Sequence, residues 1–322
     1  MRFPIRRSPA RPLAAAVLLL LTGAAATACS TSAASPDNPP AADAAKAGDR
    51  APIRVLAAEN FWGSIAAQLG GSHAAVTSVI SNPATDPHDY EPTAADARTA
   101  AGAQYAIVNG IGYDTWADKL LAASPADGRR ELRVGDLVGV KPGGNPHRWY
   151  SPADVHQVID RITADYTAID PADAAYFAAR RTAFETTALG PYDQEIAHIK
   201  AVYAGTPIGA SESIVSPLAQ GLGLRMLTPD TFLSAISEGT DPTARDKSTV
   251  DRQIATHAIR VYVYNSQNST PDVREQVKAA KAAGIPVATV TETLAPAGAS
   301  FQQWQTAELK GLAAALHQAT GR

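Results

Sequence analysis

Two imidazoles and two carboxylates stand in four separated polar segments of this chain. They are His88 in TDPHDYEPT, His147 in GNPHRWYSP, Glu212 in GASES and Glu292 in TVTETLAP. Gathered in one place, that set suits a divalent transition metal such as zinc or manganese, and the two carboxylates would cancel its charge. A proline directly precedes each histidine (Pro87 and Pro146), which lowers the entropy lost on fixing the ring. Taken singly, each signal is weak. A loop histidine is usually solvated, and a glutamate at a helix start simply favours the helix dipole. The amides of YNSQNSTPD (Asn265, Gln267, Asn268) ordinarily serve turns and caps. His73, His156, His198, His257 and His317 fall on helices or helix ends and read as ordinary surface residues.

What raises the reading is where the four residues fall. Short apolar runs alternate with helical spacing from Ile53 onward: IRVLAAE, AAVTSVIS, QYAIVNG and a weaker ELRVGDL read as strands, with helices between them. Thr93 can cap one helix, and Ser151 with Pro152 opens another. Helical spacing then runs from Pro171 to Tyr203, with a kink or break expected at Gly190-Pro191. After Gly205 the alternation resumes through TPIGASE, RMLTP, AIRVYVYNS and IPVATVTE. This pattern predicts α/β architecture with parallel sheets: an N-terminal lobe over 51–168, a linking helix over 169–204 and a C-terminal lobe over 205–322. Ligands of open α/β sheets bind beyond the carboxyl ends of strands. His88, Glu212 and Glu292 each follow a strand, and His147 lies in the loop before the helix that starts near Ser151, so an interlobe cleft would collect all four.

The N-terminus carries a different kind of signal. Four arginines, an apolar run from Leu13 to Leu21 and a small-residue stretch read as a secretory signal over residues 1–28. Arg6-Arg7 also admits a twin-arginine signal, although SPAR continues it poorly. The chain has 322 residues and a net charge of −3, which becomes about −7 when those four arginines leave with no acid. No basic run of the kind that reads nucleic acid is present in the sequence. Cys29, the single cysteine, ends ATAC and looks like a bacterial lipobox, with Ala26 where a larger aliphatic residue is usual. Lipidation there would hold the protein to the outer face of the cell membrane; the alternative is a free cysteine beside an ordinary cleavage site. Residues 29–50 read as a disordered tether rich in Ala, Ser, Pro and Asp.

The segments DPHDYEPT, NPHRWYSP, SESIVSPLAQGLGL and YNSQNSTPDVREQV…AAGIPVATVTETL resemble, in order and spacing, the cluster A-I substrate-binding lipoproteins of bacterial zinc and manganese ABC importers. VLAAENFWGSIAAQLGG and IVNGIGYDTWADKLL are similar too, so the resemblance covers the chain from Ile53 onward. It implies two α/β lobes bridged by one long helix, a metal held by His88, His147, Glu212 and Glu292, an ABC permease as partner and no enzymatic activity. A monomer is expected. The sequence departs from the family's usual residues at Asn145, where an aspartate is common, and at Glu292, which is one methylene longer than the usual aspartate. Asn268 is the fallback ligand should Glu292 point away. Within the resemblance, a glutamate such as Glu212 as third ligand is common where manganese is carried, and the His-rich loop of many zinc importers is absent from the sequence. Ligand chemistry favours zinc over manganese as cargo nonetheless: two histidines and two singly bound carboxylates suit a tetrahedral site, and the Irving–Williams order favours zinc, while carboxylates bound through both oxygens would suit manganese.

Two other readings remain at this point. One is a zinc-dependent hydrolase with two histidines, one glutamate ligand and an open water position; four candidate ligands and the lack of an HExxH motif or nucleophile elbow weigh against it. The other is an adhesin or structural lipoprotein on the same fold.

Overall fold

The computed structural model describes residues 50–85, 87 and 90–322; the expected signal segment, Cys29, most of the expected tether, Asp86, His88 and Asp89 lie outside the described residues. The first lobe runs through β1 (Ile53–Glu59), α1 (Asn60–Gly70), β2 (Ala74–Ile80), α2 (Ala94–Gly102), β3 (Tyr105–Val108), α3 (Thr115–Ala123), β4 (Arg130–Arg133) and α4 (Val134–Val138). Then come α5 (Pro152–Ile169), α6 (Ala174–Ala183) and α7 (Gly190–Tyr203). The second lobe contains β5 (Pro207–Ala210), α8 (Val215–Leu222), β6 (Arg225–Met226), α9 (Asp230–Ser237), α10 (Ala244–Ala255), β7 (Val261–Asn265), α11 (Pro271–Ala282), β8 (Val287–Val290) and α12 (Phe301–Thr320).

Each lobe is built on a four-stranded, all-parallel sheet, as the alternation predicts. The orders are β2-β1-β3-β4 and β6-β5-β7-β8. In both, the chain reverses its direction of travel between the two central strands, and that reversal opens a crevice at their carboxyl ends. Local chemistry starts the helices. Thr93 and Asp96 form a reciprocal capping box on α2, Ser151 caps α5 with Pro152 at its first position, and Ser300 and Gln303 form a second box on α12.

Three local features differ from the sequence pattern. Only the first three residues of ELRVGDL, Glu131 to Arg133, are strand, within β4 (Arg130–Arg133); Val134 turns directly into α4, whose left-handed cap is Gly139. The stretch DTFLSAIS folds as α9, burying Phe232, Leu233 and Ile236; it has no side-chain cap at its start, so the usual sequence signal is missing. The interruption expected at Gly190-Pro191 takes the form of a widened turn just before it, with α7 starting at Gly190. Phe184–Ala188 form a π turn closed by Leu189 N–H to the Phe184 carbonyl at 2.8 Å, and Leu189 keeps helical backbone angles. Pro191 has no N–H to donate, and the wide turn directly before it absorbs that loss.

The lobes meet at more than the connecting helices. At the start of α12, Phe301 N–H donates to Ser64 Oγ of α1 at 2.9 Å, and Gln302 and Gln68 exchange side-chain hydrogen bonds at 2.7 and 3.0 Å. One apolar core runs through both lobes, from Val55 and Phe61 through Trp149 and Tyr192 to Phe301 and Trp304. A smaller cluster (Leu56, Ala58, Ile80, Trp116, Leu120) covers the other face of the first sheet. Among the described residues no helix is long and apolar enough to cross a membrane.

Candidate metal centre

The second lobe brings its two glutamates together through one asparagine. Glu212 follows β5 and is 1% exposed. Ser211 fixes the turn: its N–H donates to the Val263 carbonyl at 2.9 Å, and its Oγ accepts Asn265 N–H at 3.1 Å. Asn265 Nδ2 donates to Glu212 Oε1 at 2.5 Å and lies 3.4 Å from Glu292 Oε2. One amide nitrogen, with two hydrogens, thus serves two carboxylates that would otherwise repel. Asn268 Nδ2 holds Glu212 Oε2 at 2.6 Å. Asn268 is therefore a donor to one candidate ligand.

Glu292 does not point away. Gln267 Oε1 accepts the backbone N–H groups of both Glu292 (2.6 Å) and Thr293 (3.0 Å), which shapes the turn after β8. Glu292 Oε1 then accepts Tyr113 Oη from the first lobe at 3.2 Å and lies 3.6 Å from His147 Nε2. Burial, together with the nearby Glu292 and Glu59 carboxyls, pushes the Tyr113 phenol well up, so it stays a donor.

His147 is 1% exposed, and its orientation follows from Asn145. Asn145 Nδ2 donates to the Ser213 carbonyl of the other lobe at 2.7 Å, which fixes the amide so that Oδ1 faces His147. Oδ1 accepts the His147 backbone N–H at 3.0 Å and meets Nδ1 at 2.9 Å. An amide oxygen only accepts, so Nδ1 carries a proton and Nε2 is the ring nitrogen turned toward Glu292, the nitrogen through which a neutral imidazole would bind metal. An aspartate at position 145 could not also donate to Ser213; the asparagine does both tasks.

His88 lies outside the described residues, but its loop is anchored on both sides. Trp116 Nε1 donates to the Pro87 carbonyl at 3.0 Å, and Tyr90 Oη donates to Asp96 at 2.8 Å while stacking edge-on against Trp116. Among the described residues no three His, Cys, Asp or Glu side chains form a metal-holding group. The structure brings together His147 and Glu292 directly, with Glu212 joined to Glu292 through Asn265. A cavity of about 600 Å³ opens beside His147, lined by Tyr113, Asn145, Ser213 and Ser237 with Asp230 and Glu238 as its charged groups. A smaller one of about 190 Å³ opens between Pro87, Asn268 and Glu292.

Sequence reasoning missed Tyr113, the orienting role of Asn145 and an internal repeat. Ala57, Glu59, Ala66, Leu69 and Gly70 of the first lobe recur at one constant interval as Ala210, Glu212, Ala219, Leu222 and Gly223. Asn109 after β3 stands where Asn265 ends β7. Glu59 is thus the first-lobe counterpart of Glu212. Comparing the two halves of the sequence would have found it.

Comparison with solved structures places the fold. A manganese-bound mutant of the periplasmic metal-binding protein of Candidatus Liberibacter asiaticus superposes with a TM-score of 0.70 at 18% identity, covering 81% of this chain and 98% of that one. The periplasmic zinc-binding protein TroA of Treponema pallidum gives 0.68 at 16% identity, covering 83% and 99%. Two parallel-sheet lobes of this kind define the fold of periplasmic metal-binding proteins. The chain belongs to the ZnuA family, described as zinc-uptake complex component A, periplasmic, whose model matches residues 55–315. Members of that family are substrate-binding components and not enzymes.

Curated relatives agree on metal binding and differ on the metal. The manganese-binding lipoprotein MntA of Halalkalibacterium halodurans is 24% identical over 45% of this chain and 49% of its own length. The iron-binding protein YfeA of Yersinia pestis is 30% identical over 38% and 41%, and the zinc-binding lipoprotein AdcA of Streptococcus pneumoniae is 23% identical over 76% and 52%. The chain spans about half the length of the curated relatives it matches.

Proposed function

We propose that this protein captures one divalent transition-metal ion outside the cell membrane and delivers it to the permease of an ABC importer. The ligands are His88, His147, Glu212 and Glu292. The observation that carries the reading is the His147–Glu292 pair: Nε2 lies 3.6 Å from a carboxylate oxygen, on a ring whose other nitrogen is held by Asn145. That is a half-built coordination shell with its supporting hydrogen bonds in place.

Zinc is the favoured cargo, with manganese next. Both oxygens of Glu212 already accept an amide N–H, which favours one-oxygen over two-oxygen binding and hence a low coordination number. Cys29 is the site of lipid attachment, which would tether the monomer to the membrane's outer face. Native mass spectrometry after equilibration with equimolar zinc and manganese tests the reading: one zinc per chain is expected, lost in His88→Ala and His147→Ala. A chain that took up neither metal would refute it.

A further inference from the structure

The two candidate ligand loops that face each other, those of His147 in the first lobe and Glu292 in the second, are tied together by hydrogen bonds that use neither candidate ligand's side chain. Tyr150 closes the short 3-10 turn that follows His147, with its N–H on the His147 carbonyl at 3.2 Å. Its hydroxyl crosses to the second lobe, 2.7 Å from the Thr291 carbonyl and 2.5 Å from Glu308 Oε2 on α12. Glu308 Oε1 accepts the Thr291 N–H, Thr291 Oγ1 and Trp304 Nε1, each at 2.8 Å. Thr291 is the residue directly before Glu292.

We propose that Glu308 is a positioning residue for the metal site, pinning the His147 loop to the Glu292 loop across the lobe boundary through Tyr150 and Thr291. The inference rests on the metal-binding reading of those loops.

Counting protons sets the state of the pin. Tyr150 has one hydroxyl hydrogen and two oxygens at hydrogen-bond distance. With an ionised Glu308, one of those short contacts would hold no proton. With a neutral acid, Glu308 Oε2–H donates to Tyr150 Oη and Tyr150 donates to the Thr291 carbonyl, so each contact carries one hydrogen. Glu308 as a residue keeps some solvent exposure, but Tyr150, Thr291 and Trp304 surround its carboxyl group. Desolvation there pushes the group up to about 7, against hydrogen bonds from Thr291 and Trp304 that pull it down. Tyr150, also pushed well up by burial and by Glu308, stays protonated.

Three variants of the full chain test this. Tyr150→Phe removes the crossing bond and keeps the ring. Glu308→Ala removes the pin. Glu308→Gln keeps a donor for Tyr150 and an acceptor for Thr291. The metal-free readout is amide hydrogen exchange in the segments 143–150 and 288–294. Tyr150→Phe and Glu308→Ala should each speed exchange in both segments, while Glu308→Gln should match the wild type. Zinc affinity, read by competition with a chromophoric chelator, should fall about tenfold in the first two and return in the glutamine variant, the range expected for groups that support ligands. Faster exchange confined to the segment carrying the substitution would overturn the proposal. So would a Glu308→Gln protein that behaves like Glu308→Ala. If the wild type bound no zinc, the metal reading would fall, while the exchange data would still decide the pin.

Discussion

Glu59 and Glu212 hold equivalent places in the two lobes, yet they meet opposite surroundings. Glu212 has an amide on each oxygen and joins the cleft. Glu59 is fully buried, and among the described residues neither of its oxygens has a side-chain amide donor; the side chain it faces is another acid. The asparagines explain the difference. Asn265 gives its amide to Glu212, whereas Asn109 spends its amide on the Pro146 carbonyl at 2.9 Å, steadying the loop that carries His147, and accepts Trp62 Nε1 at 3.1 Å. Glu59 is left facing Asp114, whose carboxyl is tied to the N–H groups of Asn109 and Gly110 at 2.7 Å each. Burial holds Asp114 at about 6 despite those bonds, and burial plus Asp114 pushes Glu59 well up. The same carboxylate position has become a supported candidate ligand in one lobe and a sealed acid in the other. A carboxylate is made usable by the donors around it as much as by its own place in the fold.

The sharpest way to break this comparison is to remove the carboxylate on each side. Glu212→Ala should lower zinc affinity at least 100-fold by competition titration, since a candidate ligand is lost and two amides are left to crowd the site. Glu59→Gln should leave that affinity unchanged; a loss similar to that of Glu212→Ala would erase the distinction between the lobes.

The next effect concerns the imidazole. Asn145→Ala should weaken zinc binding by about 10- to 100-fold, because Nδ1 loses its acceptor and the ring its orientation. Calorimetric titration at neutral pH would read this, and an unchanged affinity would show that Ser213, 3.4 Å from the same nitrogen, suffices.

Stability separates the lobes in the opposite direction. A carboxyl whose folded value is raised contributes most below its unfolded value, and that contribution is lost as pH rises toward the folded value. Glu59 therefore penalises the fold at neutral pH. Glu59→Gln should melt higher than the wild type at pH 7, and the two should converge near pH 4, the ordinary carboxyl range. A constant difference across that window would mean that the effect is not ionisation.

The smallest change is expected from Asn268→Ala, which removes one of two amides from Glu212. Zinc affinity should fall about threefold, the worth of one modest hydrogen bond, with manganese gaining relative to zinc as an oxygen is freed.

Much of the architecture was legible because the hydrophobic period is strong. Both sheets and the caps at Thr93 and Ser151 follow from local sequence. The candidate ligands stood out only because each sits beside an element end. Helix α9 was hidden for want of a capping residue, and α4 because Val134 and Val138 suit strand as well as helix. Partners from distant segments were beyond local pattern. Nothing near Tyr113 foretells Glu292, and nothing in WQTAELK foretells that Glu308 reaches Tyr150.

The continuous apolar core has a thermodynamic consequence. Two lobes with separate interiors could unfold in succession, each with its own midpoint. Here the residues around Trp149, Tyr192 and Trp304 belong to one interior. Unfolding should therefore be a single cooperative event, with equal calorimetric and van't Hoff enthalpies. A bound ion, though it touches only a few loops, would then raise the midpoint of the whole molecule.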